Sequence, residues 1–191
     1  MSNAYSEKAM MRIGVWFELL SKARDYLVIC EKYYLKLLGQ EGALAGGVYY
    51  VGDGEITGSD YLTIEKGLSE AAVVAISNAI FTSGNGDKHI SNNKDEEITE
   101  IRDELLKRTA KKLCYTDYEK FKEYCQEIKY LRDKIVAHYD AESAEYENSG
   151  LVIKRKMASA TFLPDEITEL KNFAFALLET LHQILTENEA C

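Results

Sequence analysis

The run DYEKFKEYCQEIKYLRDKIVAHYD, from Asp117 to Asp140, decides how the chain folds. With Ile128 as reference and about 100° per residue, Phe121, Tyr124, Leu131, Ile135 and Tyr139 all fall within about 60° of it, so the run is a helix with one apolar stripe. Arg132 falls inside that stripe. His138 falls at its margin, about 120° around the helix and about 9 Å along the axis from Arg132. A guanidinium among core positions is costly unless something pairs with it. The residues three and four away, Ile128, Lys129, Ile135 and Val136, include no acid, so no local salt bridge is on offer and the expected partner lies elsewhere in the fold. Two readings of the pair follow. Arg132 answers a carboxylate on another helix and His138 is a hydrogen-bonded residue at the core edge, or an always-charged phosphate binder and a side chain titrating near neutrality are displayed together to cut RNA.

Outward from this run the same spacing recurs. From Ser6 to Leu38 the positions Ile13, Trp16, Phe17, Leu20, Ala23, Leu27, Cys30, Tyr34 and Leu38 repeat at three and four, and Gly39 is placed to stop a long first helix. A second helix, capped by Ser59 or Asp60, runs to Phe81 with Leu62, Leu68, Ala72, Val73, Ile76 and Ile80 inward. A third, strongly charged one covers Asp95 to Leu113, with Glu100, Asp103 and Glu104 set to pair with Lys107, Arg108 and Lys111 along its own face. Thr116 and Glu119 have the spacing of a capping box for the fourth. The acidic segment after Asp140, Ala141 to Asn148, closes or frays that helix. Pro164 opens a fifth helix carrying Leu170, Phe173, Ala174, Leu177, Leu178, Leu181, Ile184 and Leu185.

Five helices without β-α alternation make an all-α bundle, expected as a single domain over residues 1–191. A flexible glycine-rich segment at 40–59, with a short extended piece at Val48 to Val51, and a polar loop at 82–94 interrupt it. Residues 151–162 have the alternation of a short β-hairpin or an extended connection, with Lys154, Arg155 and Lys156 within it.

The chain has a net charge of −9 and a sequence pI near 5.0, which excludes broad, non-specific nucleic-acid affinity; a polyanion would need a local basic site. The densest basic cluster is Lys107, Arg108, Lys111 and Lys112. The four cysteines, Cys30, Cys114, Cys125 and Cys191, lack the close pairing that zinc sites use, and His89 stands alone in its loop, so no metal or cofactor is expected. Gly47 to Gly52 has the gap of a phosphate-cradling loop, but no Lys-Ser or Lys-Thr follows. Met1 to Lys8 is polar without a following apolar core, and no apolar run reaches about 18 residues, so the expectation is a cytoplasmic protein with reduced thiols and no membrane contact.

The sequence Arg132-Asp133-Lys134-Ile135-Val136-Ala137-His138, followed by Tyr139-Asp140, resembles the signature of the HEPN superfamily, the helical domains named for higher eukaryotes and prokaryotes nucleotide-binding. That signature is an arginine, a polar residue, a spacer and a histidine late in a bundle helix. The resemblance implies a metal-independent endoribonuclease of a toxin–antitoxin or phage-defence (abortive infection) system, acting as a homodimer with the two motifs facing. His138 would be the general acid or base, Arg132 would hold the scissile phosphate, and Asp133 would orient one of these groups or the protomer contact. Lys134 and Tyr139, with Lys107, Arg108 and Lys111, are the candidate substrate contacts. RNA is the implied substrate, and an antitoxin protein an implied partner. The alternative implied by the same family is a non-catalytic helical module for dimerisation or for nucleotide or RNA binding. The wheel adds its own reason for a dimer. Arg132 and His138 sit on opposite margins of one straight helix, and an isologous contact would bring each arginine toward the other chain's histidine.

Overall fold

A computed structural model describes residues 5–38, 48–51, 54–81, 96–139, 145–148, 153–156, 162 and 164–189, with side chains described for 5–32, 64–81, 96–135, 162 and 165–188. Its elements in order are α1 (Glu7–Leu38), β1 (Val48–Val51), β2 (Gly54–Thr57), α2 (Gly58–Ile80), α3 (Glu96–Lys112), α4 (Tyr118–Tyr139), β3 (Glu145–Asn148), β4 (Ile153–Lys156) and α5 (Pro164–Glu189). The fold is an all-α bundle of five helices, to which two antiparallel two-stranded hairpins, β1-β2 and β3-β4, are appended.

Helix α1 is the centre, with α2 and α5 packed along it, while α3 lies on α5 and α4 on α2. Its buried stripe is Ala9, Ile13, Trp16, Leu20, Ala23, Leu27 and Cys30, each three or four residues from the last. Phe17, expected inward, is exposed instead: one step from Trp16 turns the helix by about 100° and carries it off the stripe. The closing helix buries Ile167, Leu170, Phe173, Ala174, Leu177, Leu178, Leu181 and Ile184. It runs antiparallel to α1, since Arg24 lies over the Phe175 ring while Glu31 meets Thr168 and Lys171. Among the described residues, no helix is long and apolar enough to cross a membrane.

Polar residues enter this core by bonding their own helix. The hydroxyls of Ser69, Thr109 and Thr180 donate to the carbonyls of Glu65, Leu105 and Ala176, four residues back, at 2.8, 2.8 and 2.7 Å. Burial also pushes the thiols of Cys30 and Cys125 up to about 12 from an ordinary 9.0. A group whose folded pKa is raised above its unfolded value binds more protons in the native state, so stability is undiminished below pH 9 and falls between about pH 9 and 12. In a Cys191→Ser background at pH 8, exposed Cys114 is expected to be the one thiol of the remaining three that reacts rapidly with a disulfide reagent, Cys30 and Cys125 reacting only as the protein unfolds. Rapid modification of two or more thiols in the native protein would contradict this burial.

Four local expectations are corrected. The cap of α4 is Asp117, not Thr116: its Oδ1 accepts from the Glu119 backbone N–H at 2.9 Å. Aspartate is the better cap for a helix N-terminus because it adds charge to the hydrogen bond. Asp117→Ala is expected to cost about 1 kcal/mol in urea unfolding, and Thr116→Ala far less. The segment 145–148 continues neither helix nor coil but forms β3. It pairs with β4 in a register that sets Glu145 opposite Lys156 and Glu147 opposite Lys154, so the hairpin lies earlier than 151–162. Opposite charges at facing positions favour that register. Within 40–59 the expected extended piece at Val48–Val51 is present as β1, paired with Gly54–Thr57, while α2 already begins at Gly58, ahead of the expected cap at Ser59 or Asp60. On α3 the only expected intrahelical pair formed is Glu104 with Arg108 at 2.7 Å; Asp103 answers the adjacent Arg102 instead.

Candidate functional site

Helix α4 carries the motif on one uninterrupted backbone from Tyr118 to Tyr139, so the positions of Arg132, Asp133 and His138 keep the helical spacing counted from sequence. Its core face is Phe121, Cys125, Ile128 and Ile135, all buried, with Tyr124 and Leu131 partly so. The face is tied to the bundle by rings: Phe121 meets Phe173 edge-on at 5.9 Å and Tyr124 meets it at 5.2 Å. Arg132 lies within this face, and its side chain is only 13% exposed.

The partner of Arg132 is Asp133, its own neighbour. Nε and Nη2 both donate to Asp133 Oδ1, at 2.9 and 2.5 Å. The expectation of no local salt bridge is therefore corrected. Residues three and four apart face each other on a helix and adjacent ones do not, but a guanidinium on a three-carbon stem bends across that gap. Of the five guanidinium N–H donors, two are used in this way, and among the described residues nothing else accepts from the other three. Asp133 is 55% exposed, so the pair contributes about 0–1 kcal/mol and does not hold the guanidinium against a better anion. A phosphodiester offers two oxygens to the same fork.

Around it, Lys134 is exposed with Nζ 4.3 Å from the Tyr130 ring centroid, and Lys129 reaches over Phe81 at 6.0 Å. Over residues 127–134 three positive groups, Lys129, Arg132 and Lys134, stand against two negative ones, Glu127 and Asp133, a local excess of one positive charge in a chain of net −9.

The side chains of His138 and Tyr139, residue Asp140, the loop bearing His89 and the Gly47 to Gly52 segment's glycines 47 and 52 lie outside the described residues, as do the side chains of Lys154, Arg155 and Lys156. Two of the four residues of the second basic cluster are engaged. Arg108 bridges Glu104 and Glu187, each at 2.7 Å, and Lys112 meets Glu179 at 2.7 Å. The hydrogen bond from Arg108 holds the Glu104 carboxyl below its usual range. Lys107 and Lys111 remain exposed. The structure thus brings Lys107, Arg108 and Lys111 onto one helix beside α5, apart in sequence and element from the α4 motif.

Sequence reading passed over one feature of α2. Glu65 is 4% exposed, close to Glu70, and its carboxyl is raised by burial and then by Glu70. Counting would have found it, because Glu65 is three residues from both Leu62 and Leu68 and so shares their stripe.

No family model, no curated protein and no solved structure matches this chain.

Proposed function

We propose that the chain is a metal-independent endoribonuclease of a toxin–antitoxin or phage-defence system, working as a homodimer whose two α4 helices each supply part of a composite site. Arg132 carries this reading. A guanidinium set into the core face of a helix, paired among the described residues only with a mostly exposed neighbour and keeping three N–H donors there, is suited to holding a phosphate. In the proposed reaction His138 takes the proton of the ribose 2′-hydroxyl or gives one to the leaving 5′-oxygen. The 2′-oxygen forms a bond to phosphorus as the bond to the 5′-oxygen breaks, leaving a 2′,3′-cyclic phosphate and a 5′-hydroxyl. Arg132 bears the charge that accumulates on the non-bridging oxygens. The nucleophile belongs to the substrate and is already adjacent to phosphorus, so positioning supplies much of the rate. An antitoxin protein would act by covering this site.

The assay is incubation of structured RNA with the purified protein in EDTA, with chemical analysis of the new ends. Cyclic phosphate ends support the reading. Products bearing 5′-phosphates, or cleavage only on adding a divalent metal, would overturn it.

The second reading, a non-catalytic dimerisation or RNA-binding module, is favoured by the ion pairs that occupy Arg108 and Lys112, since they reduce the basic surface offered to RNA. RNA bound and left intact by the same preparation would select it.

A further inference from the structure

Helix α3 ends in a turn that aims a tyrosine at the start of α5. Cys114 takes a left-handed φ of 60°, the Cys114 N–H donates to Lys111 O and the Tyr115 N–H to Ala110 O, both at 3.0 Å. That is the pairing of a Schellman C-cap, which turns the chain sharply into α4. Beside this turn lies an open cleft of about 480 Å³. Tyr124 and Phe173 form its inner side, Tyr115 one flank, and Asp165, Glu169 and Asn172, all exposed, its rim.

Two properties define what would fit. The first is charge. Among the described residues, no lysine, arginine or histidine lines the cleft. The N-terminus of α5 contributes about +0.5 charge through its free backbone N–H groups, but Asp165 and Glu169 contribute two negative charges, leaving a net of about −1.5. The same field is felt by the two phenols, both raised first by burial and next by Glu169. The second property is the surface. Tyr115, Tyr124 and Phe173 belong to one aromatic cluster centred on Phe121. Tyr124 lines the cleft, and its hydroxyl is buried with no hydrogen-bond partner among the described residues. An unanswered buried hydroxyl costs about 1–3 kcal/mol, which leaves this end of the aromatic cluster the one place in it, among the described residues, with an unmet buried polar group. Aromatic rings with carboxylates at the rim attract cations on apolar stems more strongly than either inorganic ions or neutral hydrocarbons.

We propose that this cleft binds an organic cation, an ammonium or guanidinium group on a short apolar stem, presented either as a free amine or as a lysine or arginine side chain of a partner. The site is independent of the ribonuclease reading, and its test does not measure RNA.

The probes are n-butylammonium, its neutral counterpart n-butanol, and the blocked tripeptide acetyl-Gly-Lys-Gly-amide. Each is titrated into the full chain by calorimetry and followed by the NMR shifts of the Tyr115, Tyr124 and Phe173 rings. Saturable binding of n-butylammonium is expected at roughly millimolar Kd, with shifts at those rings and n-butanol at least about tenfold weaker. Glu169→Gln is expected to weaken the cation about threefold to fivefold without changing Tm, because Glu169 is exposed. A tripeptide that binds more tightly than the free amine assigns the cation to a protein partner, and equal or weaker binding assigns it to a small amine. Equal affinity for n-butanol, unchanged affinity in Glu169→Gln, or no shift at the three rings up to roughly 20 mM probe would overturn the proposal.

Discussion

His138→Ala is expected to slow metal-free RNA cleavage by about 10²–10⁴-fold, the range that a positioned acid or base supplies. Arg132→Ala should cost about 10²–10³-fold, as loss of a group aimed at developing charge does. Arg132→Ala should leave the fold standing, because among the described residues Arg132 is held only by its exposed neighbour Asp133, and His138→Ala is expected to do the same. A circular dichroism melt of each variant checks this. The informative step is to mix them. His138 lies about 9 Å along α4 from Arg132 and about 120° around it, so one helix cannot close both on one phosphate without distortion. In an isologous dimer the Arg132→Ala chain still offers His138 and the His138→Ala chain still offers Arg132. Random re-pairing makes half the dimers mixed, each with one intact composite site out of two, so activity should return to about one quarter of wild type. If mixing restores nothing while both variants exchange subunits, the site lies within one chain. If both variants cleave at the wild-type rate, the motif is not the site at all.

The fold was legible wherever burial repeats at helical spacing. The stripes of α1, α2 and α5 are stated almost residue by residue by their Leu, Ile, Ala and Phe positions, because a helix that buries one face must repeat at three and four. What sequence counting missed has a common cause: it weighs side chains by spacing along one element. Asp133 escaped notice as the partner of Arg132 because adjacent residues point about 100° apart, and only the length of the arginine side chain overcomes that. Glu145 to Asn148 looked like the end of a helix because its acidic residues suit solvent; its strand pairing depends on Ile153 to Lys156, which local pattern does not weigh. The pairing of Arg108 with Glu104 was legible from their spacing on α3, but the second partner of Arg108, Glu187, and the partner of Lys112, Glu179, were not, because both are on α5. The cleft beside α5 was illegible for the same reason, since Tyr115, Tyr124 and Glu169 meet only after three elements pack. The motif itself was legible because all its residues share one helix.

That helix depends on one ring more than on any other. Phe121 is fully buried, with Tyr115 at 5.2 Å, Tyr118 at 5.9 Å and Phe173 at 5.9 Å between ring centroids. It therefore joins the α3–α4 turn, the first turn of α4 and the middle of α5 at a single point. Phe121→Ala removes the ring and leaves a cavity that three other aromatics line, at an expected cost of about 3–5 kcal/mol in urea unfolding. For a chain of this size that lowers Tm by about 10 °C. Phe121→Leu keeps most of the volume and should cost less than about half as much, the remainder being the edge-to-face contacts. Phe121 shares the core face with Arg132 but lies about 16 Å away along the axis. Below its lowered Tm, the alanine variant should then cleave RNA at close to the wild-type rate, losing activity only as it melts. Loss of cleavage in the folded variant would mean that the active geometry is set by the anchoring of α4 as a whole. A cost below about 1 kcal/mol would mean that the aromatic cluster does not fix α4 on the bundle.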